Sequence, residues 1–173
     1  IRFVGLLLIA SITCISFQTQ AQQTAAYSHE DNDYRTGLEL FDKQKYGAAQ
    51  EKFEEAIARI SDPNDEILVN AEYYRALCAL ELFHKDAEFM LSEFIKNHPE
   101  SPRVRTAYFQ LGRYHYRRKK YRDAIEWLEK VDEYDLSHKE LAEFYFKKGY
   151  SYFKVDNFDK ANKNFYEIKE IDN

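Results

Sequence analysis

Four alanines recur along the chain at a nearly constant interval, at positions 49, 87, 124 and 161, with spacings of 38, 37 and 37 residues. A large apolar residue follows each of them by four positions: Phe53, Leu91, Leu128 and Phe165. Two registers that agree over four copies define a tandem repeat, and a period of this size restricts the chain to a solenoid or a related array. In three copies an aromatic precedes the alanine by three, at Tyr46, Tyr121 and Phe158; the second copy, Lys85 to Leu91, is weaker.

A second helical pattern lies upstream of each of the three clear copies. Gly37, Gly112 and Gly149 stand nine residues before the three aromatics. Tyr108, Leu111, Gly112 and His115 fall at i, i+3, i+4 and i+7, one face of a helix, and Tyr145, Lys148, Gly149 and Tyr152 repeat that pattern. The segments between the two patterns are polar: Asp42 to Lys45, Arg117 to Lys120 and Lys154 to Asn157. Each unit therefore reads as helix, short turn, helix. Gly within a helix costs about 0.5–1 kcal/mol against Ala, so glycines at one register point to a steric demand. Gly on the first helix and Ala on the second let two backbones approach, and bulkier neighbours fill the groove between them. With only 5 Gly and 3 Pro the chain is poor in turn formers, which disfavours a β-sandwich or barrel, while 14 Tyr and 13 Phe suit helices packed through large rings.

These residues resemble the tetratricopeptide repeat. The first unit supplies Gly37, Tyr46, Ala49, Phe53 and Ala56, with Pro63 near the closing position. The second supplies Ala87, Leu91 and Pro99 but has Arg75 at the glycine register; the third supplies Tyr108, Leu111, Gly112, Tyr121, Ala124 and Leu128; the fourth supplies Tyr145, Gly149, Tyr152, Phe158, Ala161 and Phe165. The resemblance implies an all-α, right-handed α-solenoid of about four antiparallel helix pairs, over roughly residues 30–66, 67–103, 104–140 and 141–173. The period exceeds the usual 34, so longer connections between units are expected. Long repeats rich in tyrosine also resemble exported envelope members of the family, among them barrel-assembly lipoproteins and Bacteroidetes proteins.

The first 21 residues are expected to lie outside this fold. Arg2, an apolar run from Phe3 to Ile12, and the exit Gln18-Thr19-Gln20-Ala21 have the form of a signal peptide cleaved after Ala21, with residues 22–29 as a linker. The apolar run is short for a membrane span. An uncleaved anchor and a lipid on Cys14 are rival readings; Ser11 and Thr13 match a lipoprotein signal poorly. Export to the periplasm or the outer-membrane periphery follows, with membrane contact only through the leader, a lipid or a region beyond Asn173. The chain starts at Ile1 and stops as a helical pattern ends, so a longer parent is expected. After cleavage Cys78 stands alone and is read as a buried helix residue.

Neither a catalytic nor a metal motif stands out. The histidines at 29, 84, 98, 115 and 138 form no His-Glu-x-x-His pair and neighbour no cysteine at ligand spacing. Asp62 to Glu66 resembles the start of a calcium loop but lacks its glycine and closing glutamate. His115 falls where the repeat places a packing aromatic, and a core position is expected for it. No cofactor and no enzymatic activity are expected. A net charge of −5 argues against nucleic acid as a partner. The cationic run Arg117 to Lys120, with Arg113 and Arg122, has two readings: a solvated helix end that complements the helix dipole, or a contact for an acidic peptide.

In the family that these repeats resemble, first helices line a concave surface that receives a peptide or a helix. Counted from the glycine register, the inward candidates are Tyr34, Leu38 and Phe41 in the first unit. In the third they are Phe109, Arg113, Tyr116 and Arg117, and in the fourth Phe146, Tyr150, Phe153 and Lys154. An aromatic groove with a cationic strip results. The family's carboxylate clamp for chaperone tails is not expected, because Phe109 and Phe146 hold its first lysine position. The expected function is a non-catalytic scaffold for a protein or peptide partner; the alternative is an assembly or tethering component at the outer membrane.

Overall fold

The computed structural model describes residues 29–171. The leader expected over 1–21 and nearly all of the linker lie outside them. Among the described residues there are eight α-helices and no strand: α1 (His29–Asp42), α2 (Tyr46–Arg59), α3 (Glu66–Glu81), α4 (Ala87–Asn97), α5 (Arg103–Arg117), α6 (Tyr121–Leu128), α7 (His138–Lys154) and α8 (Phe158–Ile171). A 3-10 turn, Glu133–Asp135, lies between α6 and α7. The helices pack as four consecutive pairs, and each pair stacks on the next. The all-α solenoid that the repeat implied is the fold of the described residues.

The turn within each pair is built one way four times. Gln44, Phe83, Lys119 and Asp156 all have φ near +60° (56° to 61°). In each, the next amide donates back to the carbonyl five residues earlier: Lys45 to Leu40 (2.8 Å), His84 to Ala79 (3.0 Å), Lys120 to His115 (3.0 Å) and Asn157 to Tyr152 (2.9 Å). This is a left-handed helix stop that usually carries glycine. Here it carries long or polar residues at a cost of about 1–2 kcal/mol each. The starts of the first helices differ from one another. Asp65 caps α3 by accepting from the amides of Ile67 (2.7 Å) and Leu68 (3.3 Å), and Ser137 with Glu140 forms a reciprocal capping box on α7.

Glycine and its partner meet across each of the three clear pairs. A Cβ added at Gly37 would lie 2.6 Å from the ring of Phe53, one at Gly112 would lie 2.5 Å from a Leu128 methyl, and one at Gly149 would lie 2.9 Å from the ring of Phe165. Ala49, Ala87, Ala124 and Ala161 are all buried, as are Phe53, Leu91 and Leu128. In the second pair Arg75 holds the glycine register, and its buried Nε finds no hydrogen-bond partner. That pair makes the least extensive contact of the four, as a bulky cation at the crossing point requires.

The core runs from unit to unit. Phe53, Ala56 and Cys78 join the first two units, while Leu77, Leu80, Leu91, Phe94, Leu111 and Tyr114 join the second and third. Phe109, Leu128, Val131, Leu136 and Phe144 join the third and fourth. Each buried Leu or Phe contributes about 1.5–3 kcal/mol, so most of the stabilisation is shared between neighbours and no pair is self-sufficient. No helix among the described residues is long and apolar enough to cross a membrane.

Candidate partner-binding surface

The first helices α1, α3, α5 and α7 touch one another along the stack, which makes them the inner row. A cavity of about 370 Å³ opens on this row, walled by Phe41 of α1, Tyr73, Tyr74 and Leu77 of α3, and Thr106, Gln110 and Arg113 of α5. A wider cleft of about 620 Å³ lies at the loop ends of α3 and α5, against Asn70, His98 and Ser101. Arg103 and Thr106 line both, so the two adjoin along these side chains and together make up the inner channel.

Arg103 is the cation best placed to meet a ligand. Its guanidinium lies 5.5 Å from the ring centre of Tyr73 and 5.2 Å from that of Tyr74, a cation–π arrangement that fixes its orientation. Its Nε donates to Asn70 Oδ1 at 2.8 Å, and among the described residues no carboxylate pairs with it. Tyr73 is itself held by a hydroxyl contact with Thr106 (2.9 Å), and burial pushes its phenol up to about 12, so it stays neutral. At the cleft, His98 Nε2 meets Glu72 at 2.6 Å.

Two cations of the cluster read from the sequence, Arg113 and Arg117, are paired between units. Arg113 Nε lies 2.8 Å from Glu143 of α7, and Arg117 lies 2.6 Å from Glu81 of α3. Arg117 also donates to the carbonyl of Leu80 (3.2 Å) and sits over the ring of Phe83 (4.8 Å). Arg118 covers the ring of Tyr114 and donates to its hydroxyl.

Several expected groove residues stand elsewhere. Phe109 is fully buried and packs edge-on against Phe144 at 6.2 Å, so it is core and not groove. Tyr34, at the same register, is half-buried against Phe53 (6.0 Å) and does not line the cavity. Tyr116 lies at the junction of the third and fourth units, 6.0 Å from Tyr121 and 5.8 Å from Tyr150, with Lys147 Nζ 4.4 Å from its ring centre. Burial raises the Tyr116 phenol above its ordinary range. Phe146 and Phe153 are half exposed on the last unit, with Tyr150 between them.

The reason is angular. The inner stripe of α5 is Arg103, Thr106, Gln110 and Arg113, at spacings of three and four. Phe109 and Tyr116 lie about 100° round the helix from Gln110 and Arg117, and that turn carries them towards α7. Tyr73, Tyr74 and Arg103 were missed because the second unit lacks the glycine from which positions were counted. Adjacent tyrosines on the first helix of the second unit, and an arginine opening the first helix of the third, were the available signal.

Two buried groups take no part in the channel. His115 has both ring nitrogens buried without a hydrogen bond, with Glu88 at 3.4 Å and Asp123 at 3.6 Å. Burial lowers its pKa against the pull of those carboxylates. Cys78 is fully buried, and burial pushes its thiol up to about 12. Among the described residues no group of three or more His, Cys, Asp or Glu is placed to hold a metal ion.

Residues 83–137 match the sequence model of the tetratricopeptide repeat, a stretch that runs from the turn after α3 to the start of α7. No curated protein matches the chain.

Proposed function

Since the chain belongs to the tetratricopeptide-repeat family, whose members are generally interaction scaffolds, we propose that it binds an extended segment of a partner protein along the channel on its inner row of helices. The single observation that carries this reading is the guanidinium of Arg103, stacked on Tyr73 and Tyr74 and paired with no carboxylate among the described residues, where the cavity and the cleft meet. Aromatic walls supply contact area at low entropic cost, and an oriented guanidinium donates to a carboxylate or a backbone carbonyl in a fixed direction. Because Arg113 and Arg117 are already paired within the protein, they hold the wall in shape, and Arg103 provides the recognition.

The experiment is site-specific crosslinking. A photoreactive residue at Gln110, inside the channel, should capture partner protein, and the same probe at Glu51, exposed on α2, should not. Arg103→Ala should lower the yield at Gln110 with unchanged helical circular dichroism. Equal capture from both positions would remove the channel as the site. The leader-like residues 1–21 support an exported, envelope-located scaffold, and recovery of the intact protein only from cytoplasmic fractions would count against that location.

A further inference from the structure

The two edges of the stack differ in charge. The first helices touch along the row and run in one direction, so the turns within pairs lie along one edge and the connections between units along the other. The turn edge carries Lys43, Lys45, Lys85, Arg118, Lys119 and Lys120 against Asp86 and Asp156. The connections are acidic, with Asp62, Asp65, Glu100, Asp132, Glu133 and Asp135 among them. The helix dipole does not account for the cations. At each turn the C-terminus of a first helix meets the N-terminus of a second, and their partial charges oppose. Arg117 and Lys120 take carboxylates, Glu81 at 2.6 Å and Asp123 at 3.8 Å, while the exposed Lys85, Arg118 and Lys119 take none among the described residues.

Beside these cations stands an apolar tip that the fold does not require. Of the four left-handed turn residues, Phe83 is the aromatic one, at φ 56°. A bulky side chain is a true outlier there, and the ring recovers little through burial, being 51% exposed. Strain held at an exposed residue points to function. Leu82 and Phe89, at the same end of the second pair, are 39% and 65% exposed. The ring of Phe83 lies 6.2 Å from that of Tyr114, which Arg118 covers at 5.2 Å, so the tip of the second unit and the cations of the third form one surface. That surface lies in the middle of the stack. Further units would add along the row, not over its edge.

Shape and charge together select the occupant. The apolar side chains project from a turn and are ringed by cations, whereas the cavity and the cleft lie on the inner row and at the loop ends. A peptide needs walls for its side chains. A lipid surface instead takes projecting rings into its headgroup layer while its phosphates meet the cations. We propose that the turn edge of the second and third units docks on an anionic lipid surface, with Leu82, Phe83 and Phe89 entering the headgroup layer and Lys85, Arg118 and Lys119 at the phosphates. The acidic connections on the far edge are repelled, which orients the row on the membrane. The contact is peripheral, is made by the repeats themselves and not by the leader, and is separate from the inner channel.

The test is co-sedimentation with vesicles. The chain from Gln22 onward is used, since the eight helices lie within residues 29–171 and the apolar leader would itself enter a bilayer. Vesicles of phosphatidylcholine alone are compared with vesicles of phosphatidylcholine and phosphatidylglycerol in equal parts. Partition should favour the anionic vesicles by about tenfold or more and should fall as salt is raised. Lys85→Glu together with Lys119→Glu should remove most of that preference. Phe83→Gly, which keeps the left-handed turn without strain, should weaken binding several-fold, and Arg103→Ala should leave it unchanged. Equal partition onto both kinds of vesicle would overturn the proposal, as would anionic binding indifferent to the lysine pair and to Phe83→Gly. So would a chain that ignores vesicles but binds polyglutamate through the same lysines, since an acidic polypeptide would then be the occupant. None of these outcomes bears on capture at Gln110.

Discussion

Single side chains decide how closely two helices approach. At Gly112 a methyl group would intrude on Leu128, whose branch point lies 2.6 Å from the added carbon. Gly112→Ala should therefore destabilise the protein by about 1–2 kcal/mol, the overpacking penalty less the gain in helix propensity. Gly47 has nothing within 4 Å of an added Cβ and no left-handed backbone, so Gly47→Ala should stabilise by about 0.4–1 kcal/mol. Urea denaturation of the two variants checks both signs. His115 supplies a pH dependence. Burial lowers its pKa in the folded state, so the folded protein binds fewer protons there than the unfolded chain. The stability this gives is complete above the ordinary histidine value of about 6.5 and falls away as the pH drops below it. The loss of stability between neutral and mildly acid pH should be smaller in His115→Phe than in the native chain, measured as the shift in urea midpoint.

At the level of the helix pair, the chain uses one turn four times without its usual residue. Lys119 is the clearest test, since φ is 60° and its side chain is exposed. Lys119→Gly should raise stability by up to about 1 kcal/mol, the strain relieved less the added freedom of the unfolded glycine; a lower thermal midpoint would contradict the account. These turns also mark what the sequence could convey. Polar segments at Asp42, Arg117 and Lys154 announced where each first helix stops, and the glycine and alanine registers announced which helices touch. Rotation about the helix axis was less legible. Counting from glycine located the face turned to the partner helix, but the next unit claims the adjacent face, and only packing decides where that claim ends. Phe109 and Tyr34 were misplaced for this reason. The second unit was harder still: Arg75 in place of glycine removed the point of reference, and with it Tyr73, Tyr74 and Arg103, the residues on which the channel depends.

The whole molecule is a row of units that hold one another. Removing Phe109 should show this most directly. Phe109→Ala should cost about 3–5 kcal/mol, and the loss should appear at the junction it bridges. In native-state hydrogen exchange, α7 and α8 should lose protection while α1 to α4 keep theirs, because stability in such stacks is a sum of unit and interface contributions. Uniform loss along the chain would show a cooperative block instead. The ion pairs Glu81 with Arg117 and Arg113 with Glu143 span the junctions of the second unit with the third and of the third with the fourth on the inner side, and set the units' mutual orientation more than their affinity. The sulfur of Cys78 sits at the remaining junction, sealed between the first two units and protonated at neutral pH. A maleimide can reach it only when α3 parts from α2. The rate of alkylation at Cys78, followed in the chain without residues 1–21, therefore times the breathing of the stack at one known seam, without any engineered label.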